Sequence, residues 1–213
     1  MKPVALLICG ALGREVKAMV DQQGWSIDVY GIPALHHFYP PRIVAAVDRR
    51  LGELSSAYRR VVVVYGDCGT AGALDAVIEK HGAVRVNGPH CYEMFAGSKQ
   101  FERLSEDQPA TFFLTDWLVR NFERAVVRGL GLDRYPELLP VYFRNYTDVL
   151  YLAQFPDAAL LDKAAEIATY LGLPLEIRWV GLGELQSRLL ALIEAAPEIS
   201  LPPLRGRVRL GAA

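Results

Sequence analysis

Apolar residues in this chain alternate between short solid runs and longer stretches of helical spacing. Residues 4–9 form an uninterrupted apolar run, and after Gly10 the positions Leu12, Val16, Met19 and Val20 recur at helical intervals as far as Gly24. Residues 27–32 are a second run. A helix carrying Ile43, Val44, Val47, Leu51 and Leu54 follows, its first turn suited to Pro41. The run Val61-Val62-Val63-Val64 is the strongest β signal, because four consecutive β-branched residues suit a strand buried on both faces. Its helix carries Leu74, Val77 and Ile78, with Thr70 expected as the cap. Residues 84–86 read as a short fourth strand, followed by a turn through residues 87–94 into a fourth helix.

The second half repeats the alternation. Residues 111–116 read as a strand running into a Thr115-Asp116 cap. The next helix carries Trp117, Leu118, Phe122, Val126 and Val127, and Gly129 and Gly131 end it. A helix over 133–144, broken near Pro140, precedes a strand over 149–155. A helix over 157–171 closes at Gly172, a last strand spans 175–180, and a last helix spans 182–193. Strands and helices alternating at this spacing predict an α/β fold, a doubly wound and mainly parallel sheet of roughly seven strands. This Rossmann-like or flavodoxin-like arrangement carries helices on both faces. Residues 1–196 are expected to form a single α/β domain, with two lobes, 1–108 and 109–196, sharing a sheet as its subdivision. A tail from 197 to 213 contains Pro202-Pro203, Arg205, Arg207 and Arg209, and reads as an extension.

Composition adds exclusions. The net charge of -1, from 23 basic and 24 acidic residues, leaves no electrostatic footprint for nucleic acid or an anionic membrane. No apolar stretch reaches transmembrane length, and the first run is too short for a signal peptide. Three cysteines without a short pair argue against a disulfide framework, so the expected location is cytoplasmic. The aromatic group Tyr135, Tyr142, Phe143, Tyr146 and Tyr151 suits a core or the interface of a homodimer.

Candidate chemistry gathers at strand ends. Cys9-Gly10, Cys68-Gly69 and Cys91 each follow a strand and precede a helix, and in a parallel sheet such ends converge on one edge. A shared metal site is therefore expected from Cys9, Cys68 and Cys91, with His37 as a further ligand. Thiolate ligands suit zinc and an iron-sulfur cluster alike, and three of them leave a coordination position open for substrate. Asp67 and His90 are the candidates for proton transfer, and Gly10, Gly69, Thr70, Tyr92 and Asp116 for lining a substrate pocket. Asp67 reads equally well as a turn carboxylate.

Three functional readings follow. The first is group transfer, of methyl or thiol type, on a small-molecule ligand by a metal-dependent transferase or lyase. The second is a non-catalytic metal or cofactor carrier or sensor. The third is a nucleotide- or phosphate-binding protein, from the spacing of Gly66, Gly69 and Gly72, although neither GxGxxG nor a Walker lysine is present.

The motifs Tyr65-Gly66-Asp67-Cys68-Gly69-Thr70, Gly88-Pro89-His90-Cys91-Tyr92-Glu93-Met94, Phe112-Phe113-Leu114-Thr115-Asp116 and Tyr142-Phe143-Arg144-Asn145-Tyr146 resemble a bacterial and archaeal family, domain of unknown function family 1638. The resemblance runs from Cys9-Gly10-Ala11-Leu12 to Leu171-Gly172-Leu173. It implies a partner in a corrinoid-dependent methyltransferase system and carries over no catalytic residues.

Overall fold

In the computed structural model, which describes residues 2–195, the apolar runs become parallel strands in two sheets. The first sheet has the order β2-β1-β3-β4, from β1 (Lys2–Cys9), β2 (Asp28–Ile32), β3 (Tyr58–Val64) and β4 (Val84–Arg85). The second has the order β5-β6-β7, from β5 (Thr111–Thr115), β6 (Asp148–Ala153) and β7 (Leu175–Trp179). Every strand pairing is parallel, and seven strands among helices make a doubly wound α/β fold.

The strands do not share one sheet, and the chain divides elsewhere than at residue 108. One compact unit comprises Met1–Cys91 with the segment from Glu184, and the other comprises Tyr92–Gly183. Two helices explain the shift. In α5 (Ser98–Asp107), Leu104 and Phe101 join Leu150 and Leu152 of β6 in a core of the second unit. In α9 (Gly183–Glu194), Arg188 donates to the Asn87 carbonyl at 2.6 Å, and the helix belongs almost wholly to the first unit. Periodicity marks which face of a helix is apolar, but not which sheet covers it.

In the first unit, β1 lies between β2 and β3, and Ala5, Leu6 and Leu7 are wholly buried, as are Val62, Val63 and Val64 of β3. The helices α1 (Gly13–Gln23), α2 (Pro40–Leu54) and α3 (Ala73–Lys80) bury Val16, Met19, Ile43, Val47, Leu51 and Leu74. At about 25 cal/mol per Å² of apolar surface removed from water, these solid runs dominate the unit's stability. The order 2-1-3-4 reverses direction between β1 and β3. In open α/β sheets that reversal opens a crevice at the strand carboxyl ends, where ligands bind.

In the second unit, α6 (Asp116–Phe122) and α8 (Ala158–Leu171) bury Val119, Phe122, Leu160, Ala164 and Ile167 against Tyr151 and Val149. Thr115 caps α6 as expected, accepting from Leu118 N. Pro140 opens α7 (Leu139–Phe143) where a break was expected, since a proline in the first turn lacks only an N–H that the helix leaves unbonded. Of the aromatic group, Tyr151 and Phe143 are core and Tyr146 packs against it, whereas Tyr135 and Tyr142 are exposed. The tail from residue 197 lies outside the described residues. Among the described residues, no helix is long and apolar enough to cross a membrane.

Candidate functional site

Two loops are stitched together at the end of β3. Cys68 N donates to the Pro89 carbonyl at 2.8 Å and Asp67 N to the Gly88 carbonyl at 3.2 Å. Gly66 permits the approach, because a Cβ there would stand 2.6 Å from His90 Cα. Arg85 braces the second loop. Its guanidinium takes Asp75 Oδ1 at 2.5 Å and Oδ2 at 3.1 Å, and also donates to the carbonyls of Val86 and Gly88. Cys68, and Cys91 at the start of α4 (Cys91–Ala96), are thereby carried on adjoining segments. Cys68 sits at φ 48°, a left-handed conformation unusual for a side-chain-bearing residue and found most often where function fixes the backbone.

The turn that follows is held by its own carboxylate. Asp67 Oδ1 accepts from Thr70 Oγ1 at 2.8 Å and Gly72 N at 3.0 Å, and Oδ2 accepts from Ala71 N at 3.2 Å. The Gly72 N–H and the Thr70 hydroxyl hold the Asp67 carboxyl below its ordinary range. Thr70 is therefore a donor to Asp67, and Gly72 stands at the N-cap position expected for Thr70. The N–H groups of Ala71 and Gly72, which a phosphate would need, already serve Asp67. Gly69 lies against Pro40 of α2, 3.5 Å from where its Cβ would be.

On the neighbouring strand, Ile8 pairs with Val64, so the next residues in register are Cys9 and Tyr65. Cys9 opens a 3-10 turn over Gly10–Leu12, and its Sγ accepts from Ala11 N at 3.4 Å. Gly10 plays the part on β2 that Gly66 plays on the other loop, since a Cβ would stand 2.9 Å from the Ile32 carbonyl oxygen. This contact draws in the 3-10 segment Ala34–Phe38. There the His37 ring stacks on Tyr65, centroids 5.5 Å apart, and its Nδ1 lies 2.6 Å from the Ala34 carbonyl. A carbonyl only accepts, so Nδ1 carries the proton and Nε2 keeps its lone pair. His37 is exposed, and partial desolvation where its ring meets Tyr65 lowers its pKa and favours this neutral form.

Cys9 stands close enough to oppose ionisation of both Cys68 and Cys91, and Cys68 opposes that of Cys91. Burial is the main cause of their raised values. It pushes Cys9 to about 11, Cys68 to about 12 and Cys91 well above the ordinary range. Glu15 of α1, 1% exposed, adds its charge against Cys9 and Cys91. The residue stands one turn from Leu12 and Met19, on the apolar face, which is the signal by which a sequence reading could have found it. All three thiols are free, and at neutral pH they are protonated. Tyr65 is wholly buried beside them, its hydroxyl facing the Cys9 thiol. Among the described residues, no group of three or more His, Cys, Asp or Glu side chains stands in an arrangement that could hold a metal ion as it is.

Other candidate residues are engaged elsewhere. The backbone of His90 forms the floor under Gly66. Tyr92 stacks on Phe113 in the second unit, centroids 5.4 Å apart. Asp116, wholly buried, ties that unit together. Its Oδ1 accepts from the Tyr151 hydroxyl at 2.7 Å and Gln154 N at 3.0 Å, its Oδ2 from Phe155 N at 3.2 Å, and Arg120 lies 3.4 Å away. In return, Asp116 N donates to Gln154 Oε1 at 2.7 Å.

The sequence model of the family described as "Protein of unknown function (DUF1638)" matches residues 32–189, and the chain belongs to this family. The matched segment includes Cys68 and Cys91. No curated protein and no solved structure matches the chain.

Proposed function

We propose that the crevice between β1 and β3 is a site for a thiophilic metal, zinc or an iron-sulfur cluster, held by Cys9, Cys68 and Cys91. The observation that carries this reading is the convergence of three thiols on the reversal point of the sheet, each kept protonated mainly by burial, with Cys9 further opposing ionisation of Cys68 and Cys91. Such a group is poorly suited to act as a lone thiolate nucleophile, which needs a depressed pKa. It is equally ill suited to an anion, since Glu15 sets a negative charge against Cys9 and Cys91. A soft cation reverses the balance, because it displaces the thiol protons and makes the crowded sulfurs favourable. Loading requires the side chains to turn toward one point.

With three protein sulfurs engaged, a metal supplies Lewis acidity at its open position toward a small thiol or methylated compound, and group transfer is the activity that suits such a site. The chain's own residues hold the sulfurs, with wholly buried Tyr65 beside them and the neutral imidazole of His37 stacked on its ring. Asp67 holds its own turn through Thr70, Ala71 and Gly72.

Metal analysis and absorption spectra of anaerobically purified protein, before and after reconstitution with zinc or with iron and sulfide, test the reading. Stoichiometric metal lost in Cys9→Ser, Cys68→Ser and Cys91→Ser is the expected result. Failure of the folded, reduced protein to take up either metal overturns it.

A further inference from the structure

The second unit carries, on its own residues, a cavity of about 490 Å³ that runs along α5 beside β7, an edge strand of its sheet. Lys99 and Arg103 stand one helical turn apart on the same face of α5, and Arg178 of β7 lines the same cavity. Arg178 is engaged. It pairs with Glu176, and its Nη1 donates at 3.1 Å to the amide oxygen of Gln100, whose nitrogen donates to the Ala96 carbonyl at 3.2 Å. Lys99 and Arg103 are exposed, and neither makes an ion pair with a described residue, although Asp107 lies one turn beyond Arg103. Two like charges at this spacing repel each other, and Lys99 lies in the first turn of α5, against the positive end of the helix. A negative group set between the two cations relieves both repulsions.

The other end of the cavity has the opposite character. Asp107 and Gln108 line it, and Gln108 Oε1 is buried without a hydrogen-bond partner among the described residues. A buried acceptor left open is costly, so this one calls for a donor. At the helical rise, the step from Arg103 to Gln108 covers about 7.5 Å.

We infer that this cavity binds a small phosphate monoester that carries a hydroxyl or amino group on its body. Lys99 and Arg103 hold the phosphate, whose charge of about −1.5 to −2 at neutral pH matches two uncompensated cations. The guanidinium offers paired N–H groups to two phosphate oxygens. Gln108 Oε1 accepts from the hydroxyl or amine, and the Asp107 carboxylate beside it favours a donor over a second anion. A sugar-sized body spans the two ends. No cysteine lines the cavity, so the inference is independent of the metal reading.

Isothermal titration calorimetry of the full chain with glucose 6-phosphate, inorganic phosphate and glucose tests it. Glucose 6-phosphate should bind, inorganic phosphate should bind more weakly, and glucose should not bind. Lys99→Gln and Arg103→Gln should each weaken glucose 6-phosphate about tenfold. Gln108→Leu should remove the advantage of glucose 6-phosphate over inorganic phosphate and leave binding of the latter in place. Without ligand, Arg103→Gln should melt at or above the wild-type temperature, because a repulsion is gone. A wild type that binds neither phosphate compound at millimolar concentration overturns the inference. So does glucose 6-phosphate binding that is unchanged in both Lys99→Gln and Arg103→Gln, since the anion then sits elsewhere. Equal affinity of the wild type for inorganic phosphate and glucose 6-phosphate overturns the role given to Gln108. A lower melting temperature of unliganded Arg103→Gln overturns the inference by showing that this cation already has a partner in the protein.

Discussion

Gly66 and His90 meet backbone to backbone: a methyl group on Gly66 would lie 2.6 Å from His90 Cα and 2.8 Å from His90 N. No side-chain rotation relieves such a contact, so the two loops must part. Gly66→Ala should therefore lose the Cys68 N to Pro89 carbonyl hydrogen bond and about 1–3 kcal/mol of stability, the usual cost of overpacking. Urea unfolding measures the loss. Metal uptake should fall with it, because Cys68 and Cys91 ride on the parted loops.

Asp67 makes three hydrogen bonds to its own turn, which gives it the role of a helix-capping carboxylate. Asp67→Ala should cost about 0.5–2 kcal/mol, and Asp67→Asn less, since the amide keeps one acceptor oxygen. Its carboxyl is held below the ordinary value of 3.8, so its contribution is present above that value and is lost as the pH falls through the lower folded value. The difference in urea midpoint between wild type and Asp67→Ala should accordingly persist at neutral pH and close in acid.

Asp116 is the buried acceptor on which Tyr151, Gln154 and Phe155 converge. Asp116→Ala would strand those donors and the Arg120 guanidinium beside it, at a cost of about 3–5 kcal/mol. Asp116→Asn should retain part of the network and lose less. Equilibrium denaturation distinguishes the two, and equal losses would mean that shape rather than acceptor capacity matters at this position.

The buried thiols set an alkaline limit. Burial pushes Cys9 to about 11 and Cys68 to about 12, above the ordinary thiol value of 9.0. A group raised in the folded state stabilises it fully below the unfolded value, and that stability is lost as the pH rises through the folded one. The metal-free protein should thus weaken progressively above pH 9.0, more steeply than Cys9→Ala does. Alkylation by iodoacetamide should be slow at neutral pH for the same reason, because the reactive thiolate is scarce.

Much of the first unit is legible in the chain itself. The run of four valines, the apolar stretch before Cys9 and the helical faces between them leave little choice but parallel strands with helical crossovers. The placement of all three cysteines at strand ends is visible in the same pattern. So is the Thr115 cap, because capping is a local geometry encoded within a few residues. Glu15 also leaves a trace, as a charge on an otherwise apolar helical face.

Other features depend on partners far away in the sequence. Tyr92 and Asp116 have the residue types of a binding pocket, yet Phe113 and the Tyr151–Gln154 network engage them in the second unit. Thr70 and the glycines around it have the composition of a phosphate turn, but the carboxylate that fills the turn is Asp67. The aromatic group divides between core and surface according to which residues face β6, and composition does not record that.

The order of apolar runs by itself determined that this chain forms parallel strands with helical crossovers and brings its thiols to strand ends, because those properties follow from local period and from the geometry of a crossover. Only the tertiary structure decided that the strands part into two sheets, that α9 returns to the first unit, and that the buried Tyr65 hydroxyl lies beside Cys9. The physical reason is that periodicity specifies a face to be buried, while strand order and register specify what meets it there.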